Sequence, residues 1–233
     1  MRKDEIMDIA LSDCIEKVLE DDSIEAVYIY GSYVNGYYRE DSDIDVVALT
    51  SQSSKNKPTK MPPNISAHMI HPSTFQTFKM GCPYTHLRMV PVYNTDRVRE
   101  ISDRIKSELV RRELIRFRQA GVEEFDVLEP LKNYLLGYAV KRPWRMKPIK
   151  RIFASSESRR ILSEEYGRVL NLLEQRGMVG QRGDKFRINP YFVFDEEVEK
   201  CKDDFLFKVK NSYCGWHYLR NVSAMIDFRR RRI

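Results

Sequence analysis

Apolar residues recur at roughly every third or fourth position over residues 4–20, at Ile6, Ile9, Ala10, Ile15, Val18 and Leu19. That period predicts an amphipathic helix, which Asp21-Asp22-Ser23 ends. The pattern then changes. Glu25–Tyr30 is a short β-rich run broken by Gly31-Ser32, and Ile44–Leu49 is a second run, continuously apolar except at Asp45. Such a run suits a strand covered on both faces. A polar, proline-containing loop over residues 51–63 precedes a third strand at 64–70, and His71-Pro72-Ser73 opens a helix running through Phe78. Leu87–Tyr93 predicts a short strand, which Pro91 confines to a sheet edge. Asp96–Gln119 is a long, charge-laced helix closed by Gly121.

The back half reads differently. Phe125–Val140 predicts a helix with Val127, Leu128, Leu131, Leu135 and Leu136 as its apolar stripe. Lys141–Arg151, KRPWRMKPIKR, reads as a basic linker with two prolines. Ser156–Gly177 predicts another helix, striped by Ile161, Leu162, Tyr166, Val169, Leu170 and Leu173, and Met178–Ile188 a hairpin around Arg182-Gly183-Asp184. There is no internal repeat and no low-complexity block.

Charge sharpens this division. Residues 1–110 hold 13 Lys and Arg against 17 Asp and Glu, a net of −4, whereas residues 111–233 hold 27 against 17, a net of +10. The expected organisation is therefore a front domain over residues 1–120 and a basic, mainly helical domain over 121–233. The basic half is the candidate for a polyanion surface; a solvated basic face without a partner is the alternative. A charged fraction of 32% in a chain of 233 residues describes a soluble globular protein. The apolar runs are too short to span a bilayer, and acids sit where a signal peptide would be apolar, so a cytoplasmic protein with no membrane partner is expected. Cys14, Cys82, Cys201 and Cys214 are widely scattered with no C-x-x-C pair, which points to buried free thiols rather than a zinc site or a disulfide framework.

The candidate chemistry lies in YGSYVNGYYREDSDIDVV, residues 30–47. A glycine on the turn after a buried strand lets the backbone approach a ligand closely. Exposed backbone N–H groups and the Ser32 hydroxyl can hold phosphate oxygens, helped by a following helix N-terminus. Asp43 and Asp45 stand at i and i+2, which on a strand puts both side chains on one face. Carboxylates that close repel unless a cation lies between them, and hard divalent ions take such oxygens and bridge to substrate phosphates. The plainer alternative is a pair of acids capping a turn.

This stretch resembles the signature of the DNA polymerase β-like nucleotidyltransferase superfamily: a hydrophobic residue, Gly, Gly or Ser, a spacer, then Asp-hydrophobic-Asp-hydrophobic. The GSY-x-x-G…SD-x-D form is most similar to the minimal nucleotidyltransferases, and the resemblance covers about residues 4–120. It implies an α+β (α/β) fold with a small mixed sheet flanked by helices. It further implies that Gly31 and Ser32 hold the phosphates of a nucleoside triphosphate and that Asp43 and Asp45 ligate Mg²⁺ or Mn²⁺. The implied reaction is attack of an acceptor hydroxyl on the α-phosphate with release of pyrophosphate.

The same resemblance implies a third acid on a later strand. ISAHMIHPSTF fits that frame through Ile65, Met69, Ile70, Pro72 and Phe75, but the acid position is Ser66. Three readings stay open. His68, two residues on and sharing the face of Ser66, acts as base or ligand; Asp41 lends a carboxylate from the loop; or the site binds nucleotide and metal without turning over.

In the back half, Lys141, Arg142, Arg145, Lys147, Lys150 and Arg151 surround Trp144 with no acid among them. Basic groups release counterions from a phosphate backbone and an interleaved aromatic can stack on a base. The helix and hairpin that follow resemble a winged helix-turn-helix over about residues 140–195, with the recognition helix in 157–176 and Arg182 on the wing. A helical accessory domain with a solvated basic surface is the alternative. The terminal Arg229–Arg232 run reads as a disordered tail or an anchor on nucleic acid. The leading expectation is a nucleotidyltransferase acting on a nucleic acid or protein acceptor. A nucleic-acid-binding regulator with a weakened nucleotidyltransferase domain and a transferase that modifies a partner protein are the alternatives.

Overall fold

A computed structural model describes residues 3–39, 42–51, 64–71, 87–141 and 146–195. The expected helix through Phe78, Asp41, His86, three of the four cysteines, Arg142, Trp144, Arg145 and the Arg229–Arg232 run lie outside them. The chain divides into two compact units, Met1–Ile188 and Asn189–Ile233; the elements below belong to the first.

Helix α1 (Lys3–Leu19) leads into β1 (Ile24–Tyr30), β2 (Ile44–Thr50) and β3 (Ile65–Ile70), and β4 (Val90–Tyr93) follows. The four strands form one sheet in the order β3-β2-β1-β4. β1 runs antiparallel to β2 and β4, and β3 parallel to β2, so the sheet is small and mixed. Pro91, which has no N–H to offer a second neighbour, falls on the edge strand β4 as its chemistry requires.

Alternation along the strands gives the sheet two buried faces. Ala26, Tyr28, Tyr30, Val47 and Leu49 share one with Met89 and with Val98, Ile101 and Ile105 of α2 (Thr95–Gln119). Val27, Ile29, Ile44, Val46, Ala48 and Ile65 share the other with Cys14 and Val18 of α1. Burial on both sides explains the continuous apolar runs of β1 and β2. Each fully buried Val, Leu or Ile contributes about 1.5–3 kcal/mol relative to exposure. Cys14 is a buried thiol outside any disulfide, raised by burial above the usual thiol range.

The back half departs from expectation at two places. Phe125 does not begin a helix: Glu124–Phe125 form strand β5, and α3 starts only at Glu129 and runs to Lys141. Phe125 is buried because its ring meets Phe117 and stacks on Phe186, a long-range contact that local periodicity does not register. Leu131, Leu135 and Ala139 form the buried stripe of α3, and Leu136 is exposed. Nor is Lys141–Arg151 a linker throughout: Met146–Ala154 is helix α4. Pro148 lies in its first turn, where the missing N–H has no helical acceptor to lose, and Ile149 and Ile152 are buried.

Helix α5 (Ser156–Gln175) buries Leu162, Tyr166, Val169, Leu170 and Leu173. It closes at Gly177 with the Met178 N–H donating to the Leu173 carbonyl at 3.0 Å, the bond that commonly ends helices with a left-handed residue. β6 (Val179–Arg182) and β7 (Lys185–Ile188) form the expected hairpin, and β5 joins it to give a three-stranded sheet in the order β5-β7-β6. Helix α2 packs against β1 and β4 on one side and against α3 and α5 on the other, so the acidic and basic parts of the chain meet along it. Among the described residues, no helix is long and apolar enough to cross a membrane.

Candidate active site

The Gly-Ser turn and the aspartate pair meet at one end of the four-stranded sheet. Gly31 follows β1 with φ +85, a conformation that side chains with a β-carbon disfavour. A β-carbon there would overlap the Asp45 carboxylate oxygen Oδ2 and lie 3.1 Å from Asp45 Cγ. The register explains this closeness, because Tyr30 stands opposite Asp45 across β1 and β2. The glycine and the carboxylate therefore share a space that no other residue at position 31 would leave open.

No helix follows Ser32, contrary to expectation. Residues 32–36 are turns, closed by the Tyr37 N–H donating to the Ser32 carbonyl at 3.3 Å, so any anion held there meets loop amides rather than a helix terminus. The loop is pinned from three directions that the sequence did not reveal. Asn35, fully buried, donates through its side-chain amide to the Gly31 carbonyl at 2.6 Å. Arg88 donates to the Val34 carbonyl at 2.9 Å. The Ser155 hydroxyl donates to the Gly36 carbonyl at 3.2 Å, while the same oxygen accepts the Ser158 N–H at 3.1 Å and caps α5. Gly36, at φ +72, leaves only 3.0 Å between a would-be β-carbon and Glu157 Cγ. The spacing Gly31…Asn35-Gly36 was the one available signal for Asn35. Arg88 and Ser155 are distant in sequence and carried none.

Asp43 is exposed at the entry to β2 and Asp45 is half-buried within it. Burial, and then the charge of Asp43, raise the Asp45 carboxyl to about 6. Two carboxylates in this relation fit a hard divalent cation, which would remove the repulsion and complete its shell with water and phosphate oxygens. Among the described residues no group of three His, Cys, Asp or Glu side chains gathers to hold a metal, consistent with serine at the expected acid position.

Across β2 and β3, Asp45 pairs with Ser66. Ser66 Oγ and His68 Nε2 are hydrogen-bonded at 3.0 Å, and the His68 ring, exposed on the edge strand, lies 6.5 Å from that of Tyr30. The sheet thus aligns Asp45, Ser66 and His68 in that order, with His68 one pleat further from the aspartates than Ser66.

The basic residues named from sequence are distributed unevenly. Lys147, Lys150 and Arg151 are exposed on α4 and make no ion pair among the described residues. Arg182, on β6, is paired with Glu124 at 3.2 Å. On the outer face of α5, Arg160 is bound by Glu157 and Glu164.

The four-stranded mixed sheet thus lies between helices, with a glycine turn set against an aspartate pair at one end. The family model described as "Polymerase beta, Nucleotidyltransferase" matches residues 13–79, a span that holds Gly31, Ser32, Asp43, Asp45, Ser66 and His68. This match supports a general nucleotidyltransferase role. The chain matches no curated protein.

Proposed function

We propose that the protein transfers a nucleoside monophosphate from a nucleoside triphosphate to an acceptor hydroxyl. The observation that carries this reading is the packing of the Asp45 carboxylate against Gly31, which brings the Gly31-Ser32 turn beside the aspartate pair. Gly31 and Ser32 hold the phosphates, and Asp43 and Asp45 hold Mg²⁺ or Mn²⁺. An ion held there would supply charge neutralisation at the phosphate oxygens. The acceptor oxygen forms a bond to the α-phosphorus, the bond from that phosphorus to the bridging oxygen breaks, and pyrophosphate leaves. His68 takes the acceptor proton, with Ser66 orienting its ring through the 3.0 Å hydrogen bond.

The acceptor class that the charge distribution favours is nucleic acid. The hairpin after α5 and the sheet order β5-β7-β6 support a winged-helix reading of the back half. Its footprint is drawn to α4, because Lys147, Lys150 and Arg151 are exposed whereas Arg160 and Arg182 already hold carboxylates. Asp43→Asn together with Asp45→Asn tests the catalytic reading: Mg²⁺-dependent transfer from a labelled triphosphate is lost, and unchanged transfer overturns it.

Ser66 at the third-acid position favours a second reading, a nucleic-acid-binding regulator whose nucleotidyltransferase domain no longer turns over. It predicts salt-sensitive nucleic-acid binding that survives loss of both aspartates, with no transfer by the native protein.

A further inference from the structure

Three arginines line one cleft of about 430 Å³ between β4, α2 and α5. They are Arg88, Arg99 and Arg168, and Ser102 and Glu165 complete the polar lining. The sheet sets the position of this cleft. Ile29 stands opposite Val90 across β1 and β4, so the chain just before β4 runs beside the chain just after β1. Arg88 joins the two directly, lining the cleft while donating to the Val34 carbonyl of the Gly-Ser loop at 2.9 Å.

The charges do not cancel. Glu165 is the one carboxylate in the lining, and it is divided among Lys106 at 2.6 Å, Arg168 at 3.3 Å and Arg88 at 3.8 Å. Asp103, nearby, binds Arg168 at 2.7 Å. Lys106, Arg88 and Arg168 thus share Glu165 and Asp103, and Glu157 lies close enough to Arg88 to feel its charge. Arg99 is exposed and makes no ion pair among the described residues. Guanidinium forks match phosphate oxygens in geometry and charge. We propose that this cleft binds a phosphate group, carried either by the nucleotide or by the backbone of a nucleic-acid acceptor. Its use in the transfer reaction rests on the function proposed above; phosphate binding itself does not.

Arg99→Gln tests the cleft in the full-length protein, with Arg104→Gln as control, an exposed arginine on the same helix outside this lining. Affinities for inorganic tripolyphosphate and for a short single-stranded oligonucleotide are measured by titration calorimetry over a range of salt. The expected result is about tenfold weaker binding of at least one probe by Arg99→Gln, with a shallower salt dependence where the oligonucleotide is affected. Arg104→Gln stays within about twofold of the native protein. Loss confined to tripolyphosphate assigns the site to the nucleotide, and loss confined to the oligonucleotide assigns it to the acceptor. Equal affinities in the two variants, or no binding of either probe by the native protein, overturns the proposal. A failure of the transfer reaction would show instead in the Asp43→Asn, Asp45→Asn experiment and leaves the Arg99→Gln result standing.

Discussion

The carboxylate of Asp45 occupies the place that a β-carbon on residue 31 would take. Gly31 is therefore required twice, once by its φ of +85 and once by its neighbour. Gly31→Ala combines a left-handed conformation that costs about 1–2 kcal/mol with crowding that costs about 1–3 kcal/mol. The variant loses about 2–5 kcal/mol in urea unfolding and its transfer activity. Near-native stability in that measurement would contradict the described packing.

The raised Asp45 carboxyl has a pH signature. Its folded value of about 6 lies above the ordinary 3.8, so between those limits the folded protein holds the proton more firmly than the unfolded chain. The Asp45 contribution to metal-free stability is fully present below pH 4, falls as pH rises toward 6 and is level above it, by at most about 3 kcal/mol. Asp45→Asn flattens that profile. Mg²⁺ raises the melting temperature of the native protein at pH 7.5 but not at pH 5, and chelation reverses the gain. Thermal scans across pH, with and without metal, check both parts.

Ser66 lies beside Asp45 in the ladder, which makes it the point at which to add a ligand. Ser66→Asp tightens Mn²⁺ binding by about tenfold, since affinity follows ligand charge, and increases transfer. Calorimetric titration of the variant with Mn²⁺ decides this; affinity equal to the native value would place the third ligand elsewhere.

Lys106 is fully buried against Glu165, and burial lowers its ammonium group despite that partner. Glu165→Ala leaves a buried cation without its closest counter-ion and costs about 3–5 kcal/mol. Lys106→Met costs about 1 kcal/mol or less, because Glu165 keeps Arg168 and Arg88. The asymmetry, read from paired unfolding curves, is the diagnostic, and equal losses would argue against it.

The front half was legible because its signals are local. A run buried on both faces announces β2, and the Gly31-Ser32 turn with Asp43 and Asp45 carries its chemistry in adjacent letters. What stayed hidden depends on distance. Phe125 becomes a strand residue only through Phe186. Helix α4 was masked by prolines and charges, although Ile149 and Ile152 are its buried positions. Asn35, Arg88 and Ser155 act on backbone carbonyls of the loop, and nothing in a residue's type names a carbonyl partner.

The hydroxyl of Ser155 caps a helix of the basic half and grips Gly36 in the acidic half with the same oxygen. The two halves are accordingly not interchangeable cassettes. A chimera that grafts a foreign C-terminal region after residue 120 removes the outer support of the Gly-Ser loop, so such grafts need to carry residues 155–158 with them to keep the loop in register.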